Sequence, residues 1–559
     1  MNGLILVAIA VMVLLLSYLL YGGWLSSVWD LEQNTETPAI KYKDNKEFSP
    51  ASKISAFASQ FNSIAGVGAV TGPIIAIQFG WLPVFLWLLI GGVFFGAVQD
   101  CASLYASVKN DGKSMGFIIE KYIGKTGKIL FLIFCWLFSL IVIASFADIL
   151  AKAFSYINPD GSENTAGTIA ASISMLYIIA ALVLGIFLKF VNVNECVRFL
   201  IALILVPVMI CLGFIFPLKH GAEFWRYVVF IYCFVSSIIP LWLLKAPRDY
   251  FSIFLFVLVI LGGALGIIIA APSIEEVPVF TGFYVNNLPL FPILFVTVAC
   301  GAVSGFHSII SSSNTSKMIS KNTDILPAGY GAMLLEVMLA VIALVAACTG
   351  MKEGNLTTGN PLGIFSRSVA NLLTELGLPV EFSTCIMVTC VTDLATTTID
   401  SVARIGRTSW QELFTPENKN NAGFIRKFIT NDFIAAFMTL APAFLLCLGG
   451  YEKIWPLFGS ANQLLSALVL TALAVFLKAT GRKGWMLYIP MLFMFVVTMS
   501  ALIFKVYEIY THFMAGHFIM MSDGLQFILA LALMALALIV VFKSWHELFR
   551  VKFQKEVQK

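Results

Sequence analysis

The sequence predicts an all-α protein that crosses a membrane many times, and three observations support this. Of its 559 residues, 59% are hydrophobic and 12% are charged, with a mean hydropathy of +0.91. A soluble domain would carry about twice that charged fraction. Apolar segments of about 20 residues, the length that spans a bilayer as a helix, recur along the whole chain. The basic residues concentrate in alternate loops between these segments, as in multi-pass proteins.

Fifteen apolar segments are long enough to be transmembrane helices. They lie at 4–27, 54–77, 82–108, 127–155, 168–189, 196–217, 224–244, 250–271, 288–312, 327–350, 379–402, 428–449, 455–478, 484–505 and 522–543. The first has no basic residues before it and its apolar run is too long for a signal peptide, so we predict that it is retained as a helix.

The positions of the Lys and Arg residues give the orientation. One alternating set of loops, together with the C-terminal tail, holds 28 of the 35 basic residues, and the other set holds seven. Positively charged loops stay on the cytoplasmic side. The N-terminus is therefore predicted to lie outside and the C-terminus in the cytoplasm. No loop is long enough for a folded soluble domain.

The second segment is apolar enough to span a bilayer, yet its middle is a poor helix. Four helix-disfavouring residues fall within eight positions: Gly66, Gly68, Gly72 and Pro73. Two interpretations remain open. Small residues allow close packing between membrane helices, whereas a broken helix can hold ions and substrate with its unwound backbone. The second interpretation makes four residues candidates for substrate contact: Ser63, Gly66, Gly68 and Thr71.

An inverted repeat follows if a second broken helix lies five helices later. Segment 224–244 starts on the opposite side and is interrupted at Ser236, Ser237 and Pro240. Two broken helices of opposite orientation, five apart, are typical of an inverted five-helix repeat, although Pro240 is also consistent with an ordinary kink. We predict four regions: a peripheral helix and loop at 1–53, the first repeat at 54–223, the second repeat at 224–402, and peripheral helices at 403–559.

Segment 288–312 carries the only histidine that lies plainly inside a predicted span, His307. Ser304, Ser308 and Ser311 are three, one and four residues away, so a continuous helix would place all four on one stripe. An imidazole titrates near neutral pH and is suited to carry a coupling proton or to bind a carboxylate. A hydrogen-bonded core histidine is the alternative.

Acidic residues inside predicted spans are costly and usually mark function. Asp100 lies in the third segment, where it either pairs with a loop lysine or takes part in function. Glu336 is deep in the tenth segment and needs a polar partner or a proton. Asp148 lies nearer the outer end of the fourth segment, where we expect a solvated position. Ion-coupling candidates are therefore Asp100, Ser304, His307, Ser308 and Glu336.

The sequence gives no sign of an enzyme or of a cofactor. The ten cysteines all lie in or beside apolar segments, and none forms a CxxC pair, so we predict neither disulfides nor metal ligands. We find no HExxH and no cluster of His and acidic residues at catalytic spacing. The expected partners are a small-molecule substrate, a coupling ion and the lipid bilayer, and no nucleic acid.

Several blocks of the sequence together resemble the carbon starvation protein A family of bacterial inner-membrane transporters. These blocks are FNSIAGVGAVTGPIIAIQFGWLPVFLW (61–87), GAVQD (96–100), PLWLLKAPRDY (240–250), PLFPILFVTVACGAVSGFHSIISS (289–312), GYGAMLLE (329–336), TTTIDSVARIGR (396–407) and WPLFGSANQ (455–463). The resemblance runs from about residue 28 to 480.

The resemblance implies a fold and a site. The family is induced when carbon runs short, is associated with uptake of peptides or of pyruvate with protons, and is grouped with the amino acid–polyamine–cation superfamily, whose core is a LeuT-like inverted five-helix repeat. In that superfamily, broken first and sixth core helices frame the substrate and a cation often lies against the eighth. Those helices correspond here to 54–77, 224–244 and 288–312. Where many relatives have a histidine pair, this chain has Ser59 and Gln60, which places more weight on His307 or on sodium coupling.

We therefore predict an alternating-access secondary transporter that imports peptides or pyruvate-like carboxylates across the inner membrane in the response to carbon starvation. His307 is a candidate for substrate contact as well as for coupling, together with Ser236 and Ser237. The sequence leaves open whether the substrate is a peptide or pyruvate and whether H⁺ or Na⁺ is coupled. A membrane nutrient sensor that signals through a partner protein is the alternative function.

Overall fold

A computed structural model describes the chain except for residues 1, 32–34, 45–47, 159–160, 192–194, 241–242, 353–354, 357–360, 415–423, 517–519 and 551–559. The described chain is almost entirely helical. We number its main helices α1 (Gly3–Trp29), α2 (Lys53–Ile64), α3 (Val67–Phe79), α4 (Trp81–Lys109), α5 (Met115–Ile123), α6 (Lys125–Phe154), α7 (Thr165–Phe190), α8 (Glu195–Ile215), α9 (Ala222–Ile238), α10 (Lys245–Ala270), α11 (Leu290–Thr297), α12 (Ala299–Ala302), α13 (Gly305–Ser313), α14 (Asn322–Thr349), α15 (Pro361–Leu373), α16 (Val380–Phe414), α17 (Phe424–Ile429), α18 (Asp432–Cys447), α19 (Tyr451–Ala479), α20 (Trp485–Met514) and α21 (Leu525–Arg550).

Strands are confined to two short hairpins in loops of the described chain. In the first, β1 (Tyr284–Val285) pairs antiparallel with β2 (Leu288–Pro289), and in the second, β3 (Met351–Lys352) pairs with β4 (Asn355–Leu356). A one-turn helix, Pro38–Lys41, lies in the loop after α1.

Nine described helices are long and apolar enough to cross a membrane, and the bent pair α2–α3 makes ten. The protein is therefore a multi-pass membrane protein. The other five predicted spans are also helical, but the apolar helical stretch that the structure describes in each is shorter or is broken. They are α8, α9, the three pieces α11–α13, α18 and α21. The count of fifteen spans stays a prediction.

The chain divides into two compact units that each combine distant stretches of sequence. The first unit comprises Met1–Leu6, Ser139–Pro278 and Ile342–Tyr451, and the second comprises Val7–Phe138, Val279–Val341 and Glu452–Lys559. In the first unit, the long and largely buried α16 packs against α7, α9, α10, α15 and α18. In the second, α4 packs against α13, α3 against α12, and α11 against α20.

The predicted break in segment 54–77 is present, but it lies earlier than the Gly72–Pro73 step suggested. Helix α2 begins after Ser52, whose hydroxyl accepts a hydrogen bond from the Ser55 amide, and it ends at Ile64. Ala65 and Gly66 are extended, and α3 then starts at a 49° angle to α2. Pro73 lies inside the helical part of α3. The extended Ala65–Gly66 pair makes the break, whereas Pro73 only removes one donor from a helix that continues.

Close packing, the other interpretation of this segment, also holds. A Cβ atom at Gly72 would lie 2.7 Å from the carbonyl oxygen of Thr297 and 3.2 Å from the Cα of Val298. Backbone atoms cannot yield as a flexible side chain can, so only glycine lets α3 approach the junction of α11 and α12 this closely. The segment is therefore both broken and tightly packed.

The interruption that we predicted within segment 224–244 is the end of a helix. Helix α9 stops at Ile238, Ile239 is extended, and the next helix begins at Lys245. The residue before a proline is disfavoured in helical geometry, so Pro240 explains the end at this position. Ser236 and Ser237 lie in the last turn of α9, and Arg404 donates to the carbonyl oxygens of Ser236 (2.6 Å) and Ile239 (2.7 Å).

Segment 288–312, which we expected to be one continuous helix, is instead the second broken span. It forms α11, α12 and α13, and the residues between α12 and α13, Val303 and Ser304, are both extended. The predicted stripe is correct for His307, Ser308 and Ser311 within α13. Ser304 precedes that helix as its N-cap residue, so it does not belong to the stripe.

Candidate functional site

The break between α12 and α13 has partners for its freed backbone groups. Gln99 of α4 donates to the Ser304 carbonyl oxygen (2.6 Å), and the Oδ1 atom of Asn462 accepts from the Phe306 amide (3.2 Å) and the Ser304 hydroxyl (3.1 Å). Ser466 donates to the Gln99 side-chain oxygen. In lipid, backbone groups released from a helix need such partners. Two amide side chains therefore hold this unwound turn in place.

The break between α2 and α3 is different, because the first turn of α3 lacks a cap. Gly66 is the N-cap residue and no side chain caps the helix. Among the described residues, no hydrogen bond satisfies the amides of Val67 and Gly68, although both residues are buried. A buried helix N-terminus without partners is an attractive place for an anion.

Three ionisable side chains from three helices meet beside these breaks. His307 of α13 lies between two carboxylates, with its Nδ1 atom 3.1 Å from Asp100 Oδ2 and its Nε2 atom 3.4 Å from Glu336 Oε2. All three residues are at most 1% exposed. The structure therefore brings together the three ionisable residues that we named as coupling candidates. We call them the acid–histidine cluster.

The partner of Asp100 corrects one of the two sequence-based interpretations. Asp100 does not pair with a loop lysine among the described residues, but with His307, which is 207 positions away in the chain. Helix α14 approaches α4 closely at Gly329, where a Cβ atom would lie 2.7 Å from the Cα of Cys101. This close approach of the two helices places the acids that they carry on either side of the imidazole.

The acid–histidine cluster contains more negative groups than one imidazolium can neutralise. Asp100 Oδ1 and both carboxylate oxygens of Glu336 are buried without a hydrogen bond of good geometry in the described chain. Moving an uncompensated carboxylate from water into a protein interior costs roughly several kcal/mol of free energy. The cluster can reach neutrality by binding a second proton besides the one on His307, or by binding a cation. It is thus chemically suited to take up and release a positive charge.

A polar stripe extends from the cluster along α13. Gln60 of α2 donates to the Ser311 hydroxyl (2.7 Å) and accepts from Thr315. Ser311 in turn donates to the His307 carbonyl oxygen (2.8 Å), and Ser308 accepts from Gln99 (2.8 Å). Gln60 therefore contacts α13 one turn beyond His307.

The other predicted contact residues divide between the two units. Ser63, Gly66, Gly68 and Thr71 all lie at the break of α2–α3, although the Thr71 hydroxyl donates to the Val67 carbonyl of its own helix (3.0 Å). Ser236 and Ser237 belong to the other unit, and their hydroxyls donate to Cys233 and Phe234 of their own helix. The predicted convergence of 224–244 with the other two helices stays a prediction.

Sequence reasoning missed the amide side chains that organise the site. The sequence indicates for Asn462 and Gln463 only a role in joining helices, which their hydrogen bonds to Ser304 and to the Phe295 carbonyl oxygen confirm, and it assigns no role to Gln99. The available signal was their position, because each is an uncharged polar residue inside an apolar span, and both Gln99 and Asn462 prove fully buried. Within the described residues, no group of His, Cys, Asp and Glu side chains is arranged to hold a metal ion.

The first unit has buried ion pairs of its own. Arg248 donates to Asp393 (3.1 Å) and to the Tyr232 hydroxyl, with both charged residues almost fully buried. Asp148, which we expected to be solvated, is completely buried and pairs with Arg226 (2.9 Å) and Lys152 (3.1 Å). These pairs connect α6 with α9 and α10 with α16 within the unit, and they give the buried carboxylates of Asp148 and Asp393 cationic partners.

Comparison with known proteins identifies the family. The sequence profile described as carbon starvation protein CstA matches residues 2–358 and 349–501, which is most of the chain. The chain belongs to the CstA family. The match includes every residue of the acid–histidine cluster and of both helix breaks.

Individual relatives of this CstA family member have transporter names. The peptide transporter CstA of Escherichia coli K12 is 29% identical over 89% of this chain and 80% of its own length. The pyruvate/proton symporter BtsT of the same organism is 35% identical, over 62% of this chain and 49% of its own length. Among solved structures, a manganese transporter of Eremococcus coleocola aligns over 90% of this chain and 99% of its own, with 12% identity and a TM-score of 0.49.

Proposed function

We propose that the protein is a secondary active transporter that imports small carboxylate-bearing nutrients, peptides or pyruvate-like acids, by alternating access. The observation that carries the proposal is the buried acid–histidine cluster beside two broken helices in a multi-pass membrane protein. A buried group that can change its charge is costly and is typical of ion-coupled transport. The names of the relatives, a peptide transporter and a pyruvate/proton symporter, support the same function.

We propose the proton as the coupling ion. Each carboxylate of the cluster faces a nitrogen of His307, so protons can be shared among three titratable groups without an additional ligand. Sodium, the alternative that the sequence left open, prefers a shell of oxygen ligands, and in this cluster the imidazole occupies the space between the two acids. Protonation of the cluster would couple the proton gradient to the conformational change.

We propose the broken segment α2–α3 as the place where the substrate carboxylate binds. The unpaired amides at the start of α3 support this, because the N-terminal end of a helix carries a partial positive charge. Ser63 and Gly66 precede these amides in the sequence. Ser236 and Ser237 remain candidates for the substrate site by resemblance only.

The second helix break, at residues 303–304, changes which helices we pair in the proposed inverted repeat. We propose that α11–α13, rather than the segment at 224–244, is the counterpart of α2–α3. Both are broken spans, and each precedes a long helix, α4 or α14, that supplies one acid to the cluster. The charge pattern also starts 54–77 inside and 288–312 outside, as an inverted repeat requires, and the repeat would then contain seven predicted spans instead of five. The N-terminus would then lie outside the inner membrane and the C-terminus in the cytoplasm.

Uptake by reconstituted protein tests the proposal. Proteoliposomes would receive labelled pyruvate or labelled dialanine under an imposed proton gradient, then under a sodium gradient. We expect accumulation of at least one of the two substrates with the proton gradient, and its loss when an ionophore collapses the gradient. His307→Gln should abolish accumulation, whereas the matched change His220→Gln, at an exposed histidine, should leave it intact.

Two results would count against the proposal. Accumulation driven only by sodium would refute the proton as the coupling ion. No uptake of either substrate by folded protein would refute import of these nutrients, and would favour a nutrient sensor, whose signal needs binding without translocation.

A further inference from the structure

One buried carboxylate lies next to the uncapped start of α3. The Gly66 amide is close enough to Glu336 to act on its carboxylate as a hydrogen-bond donor, although neither carboxylate oxygen makes a bond of good geometry. The following amides, those of Val67 and Gly68, have no partner among the described residues. The structure thus has unsatisfied donors and an unsatisfied acceptor side by side, both buried.

The surroundings of Glu336 contain few other charges. The His307 imidazole is 3.4 Å away on one side, and Asp100 acts on Glu336 from beyond that imidazole. Within the described chain, the Cys300 thiol of α12 is a further titratable group near Glu336, and it accepts a hydrogen bond from Asn462 (3.4 Å). The positive end of α3 is therefore the second source of stabilisation for a negative charge on Glu336, after His307.

We propose that the Glu336 carboxylate and the carboxylate of the substrate compete for the N-terminus of α3, and that a proton on Glu336 lets the substrate bind. This inference rests on the proposed transport function and deepens it, because it assigns the coupling step to one residue. With no substrate, ionised Glu336 provides the negative charge at the start of α3. When a proton adds to a Glu336 oxygen, that side chain becomes neutral and the substrate carboxylate takes its place at the amides.

The charge balance explains why proton and substrate would move together. The empty site has one negative charge at the helix start, on Glu336. The loaded site also has one, on the substrate, with the proton on Glu336. A substrate anion without a proton would place two carboxylates at one helix end, which mutual repulsion in a low-dielectric site disfavours. On the cytoplasmic side, loss of the proton from Glu336 would restore its charge and displace the substrate.

The pH dependence of pyruvate binding tests the inference. Binding of labelled pyruvate to the purified protein would be measured from pH 5 to pH 9 at constant salt. If one proton binds with each pyruvate, affinity should fall about tenfold per pH unit on the alkaline side. Glu336→Gln replaces the carboxyl group with a neutral amide that cannot lose a proton. The affinity of this variant for pyruvate should therefore be independent of pH. Glu381→Gln, the same change at an exposed residue, should keep the wild-type slope.

Transport separates a failure of this inference from a failure of the proposed function. Glu336→Gln should lose accumulation against a gradient but retain exchange of internal for external pyruvate, and Glu336→Asp should restore a pH-dependent affinity. Wild-type accumulation together with an unchanged pH slope in Glu336→Gln would overturn the inference and leave the function standing. A slope that disappears in Asp100→Asn but not in Glu336→Gln would also overturn it. No pyruvate binding by folded wild-type protein would overturn both for this substrate.

Discussion

The second helix break offers a test of whether its side-chain partners fix its conformation. Asn462 accepts two hydrogen bonds there, from the Phe306 amide (3.2 Å) and the Ser304 hydroxyl (3.1 Å), and all three residues are buried. Replacing Asn462 with leucine keeps the volume similar and removes both acceptor bonds. The Phe306 amide is in the first turn of α13, so no carbonyl of its own helix can replace the lost partner.

The expected cost of Asn462→Leu follows from these two bonds. A buried donor left unsatisfied costs about 1–3 kcal/mol. Hydrogen bonds between membrane helices average about 0.6 kcal/mol, because their donors and acceptors also find partners in the unfolded state within the membrane. We apply the first value to the Phe306 amide and the second to Ser304, and expect a loss of about 2 kcal/mol. The apolar leucine side chain does not offset this loss, because the Phe306 amide stays buried without an acceptor.

The assay is equilibrium unfolding in mixed detergent micelles, with Thr471→Val as the matched control. Thr471 is buried in the same helix, and its hydroxyl donates to its own helix, at the Ala467 carbonyl (2.6 Å). The control should lose about 0.6 kcal/mol or less. Gln99→Leu should behave like Asn462→Leu, and the double variant should lose less than the sum because both residues hold one turn. If Asn462→Leu unfolds like Thr471→Val, another interaction fixes the break.

Two further predictions concern the other unit and the transported charge. Asp393→Ala leaves the buried guanidinium of Arg248 without its acid and should cost about 3–5 kcal/mol of stability, whereas the paired change Asp393→Leu with Arg248→Met should recover most of it. Thermal unfolding of the purified variants checks this, and an equal loss in both would contradict it. If Glu336 carries the proton, pyruvate transport moves no net charge and a zwitterionic dipeptide moves one positive charge. Currents from proteoliposomes on a solid support distinguish these cases, and a pyruvate-driven current would refute the charge count.

The spans and the ionisable residues could be predicted because both depend on local sequence. A run of about 20 apolar residues has few alternatives to a membrane helix, and each charged residue inside such a run is conspicuous. His307, Asp100 and Glu336 were identified on this ground. That they meet in one cluster could not be predicted, since Asp100 and His307 are 207 positions apart and only the packing of α4, α13 and α14 joins them.

The exact position of each break was harder to predict than its existence. In the second segment, Pro73 is the strongest helix-breaking residue, yet the chain unwinds seven residues earlier, at Gly66. Helix α3 continues through Pro73, because the proline removes only one hydrogen-bond donor from it. Gly301, Ser304 and Gly305 disfavour a helix at the second break. The residues that stabilise the extended conformation there are elsewhere in the sequence. Gln99 and Asn462 lie in other helices, and their hydrogen bonds make the extended conformation of Val303 and Ser304 affordable in an apolar environment.

The two breaks differ in what their backbone groups are left to do. At Val303–Ser304, Gln99 of α4 donates to the Ser304 carbonyl oxygen and Asn462 of α19 accepts from the Phe306 amide, so these two backbone groups already have partners. At Ala65–Gly66, the start of α3 has no side-chain cap, and the Gly66 amide lies beside the Glu336 carboxylate, which a proton can neutralise. A transporter needs one part of the site that stays fixed and one that exchanges partners. The hydrogen bonds assign the first role to the break beside α13 and leave the second to the break before α3, which is why we place the exchange of carboxylates at Glu336.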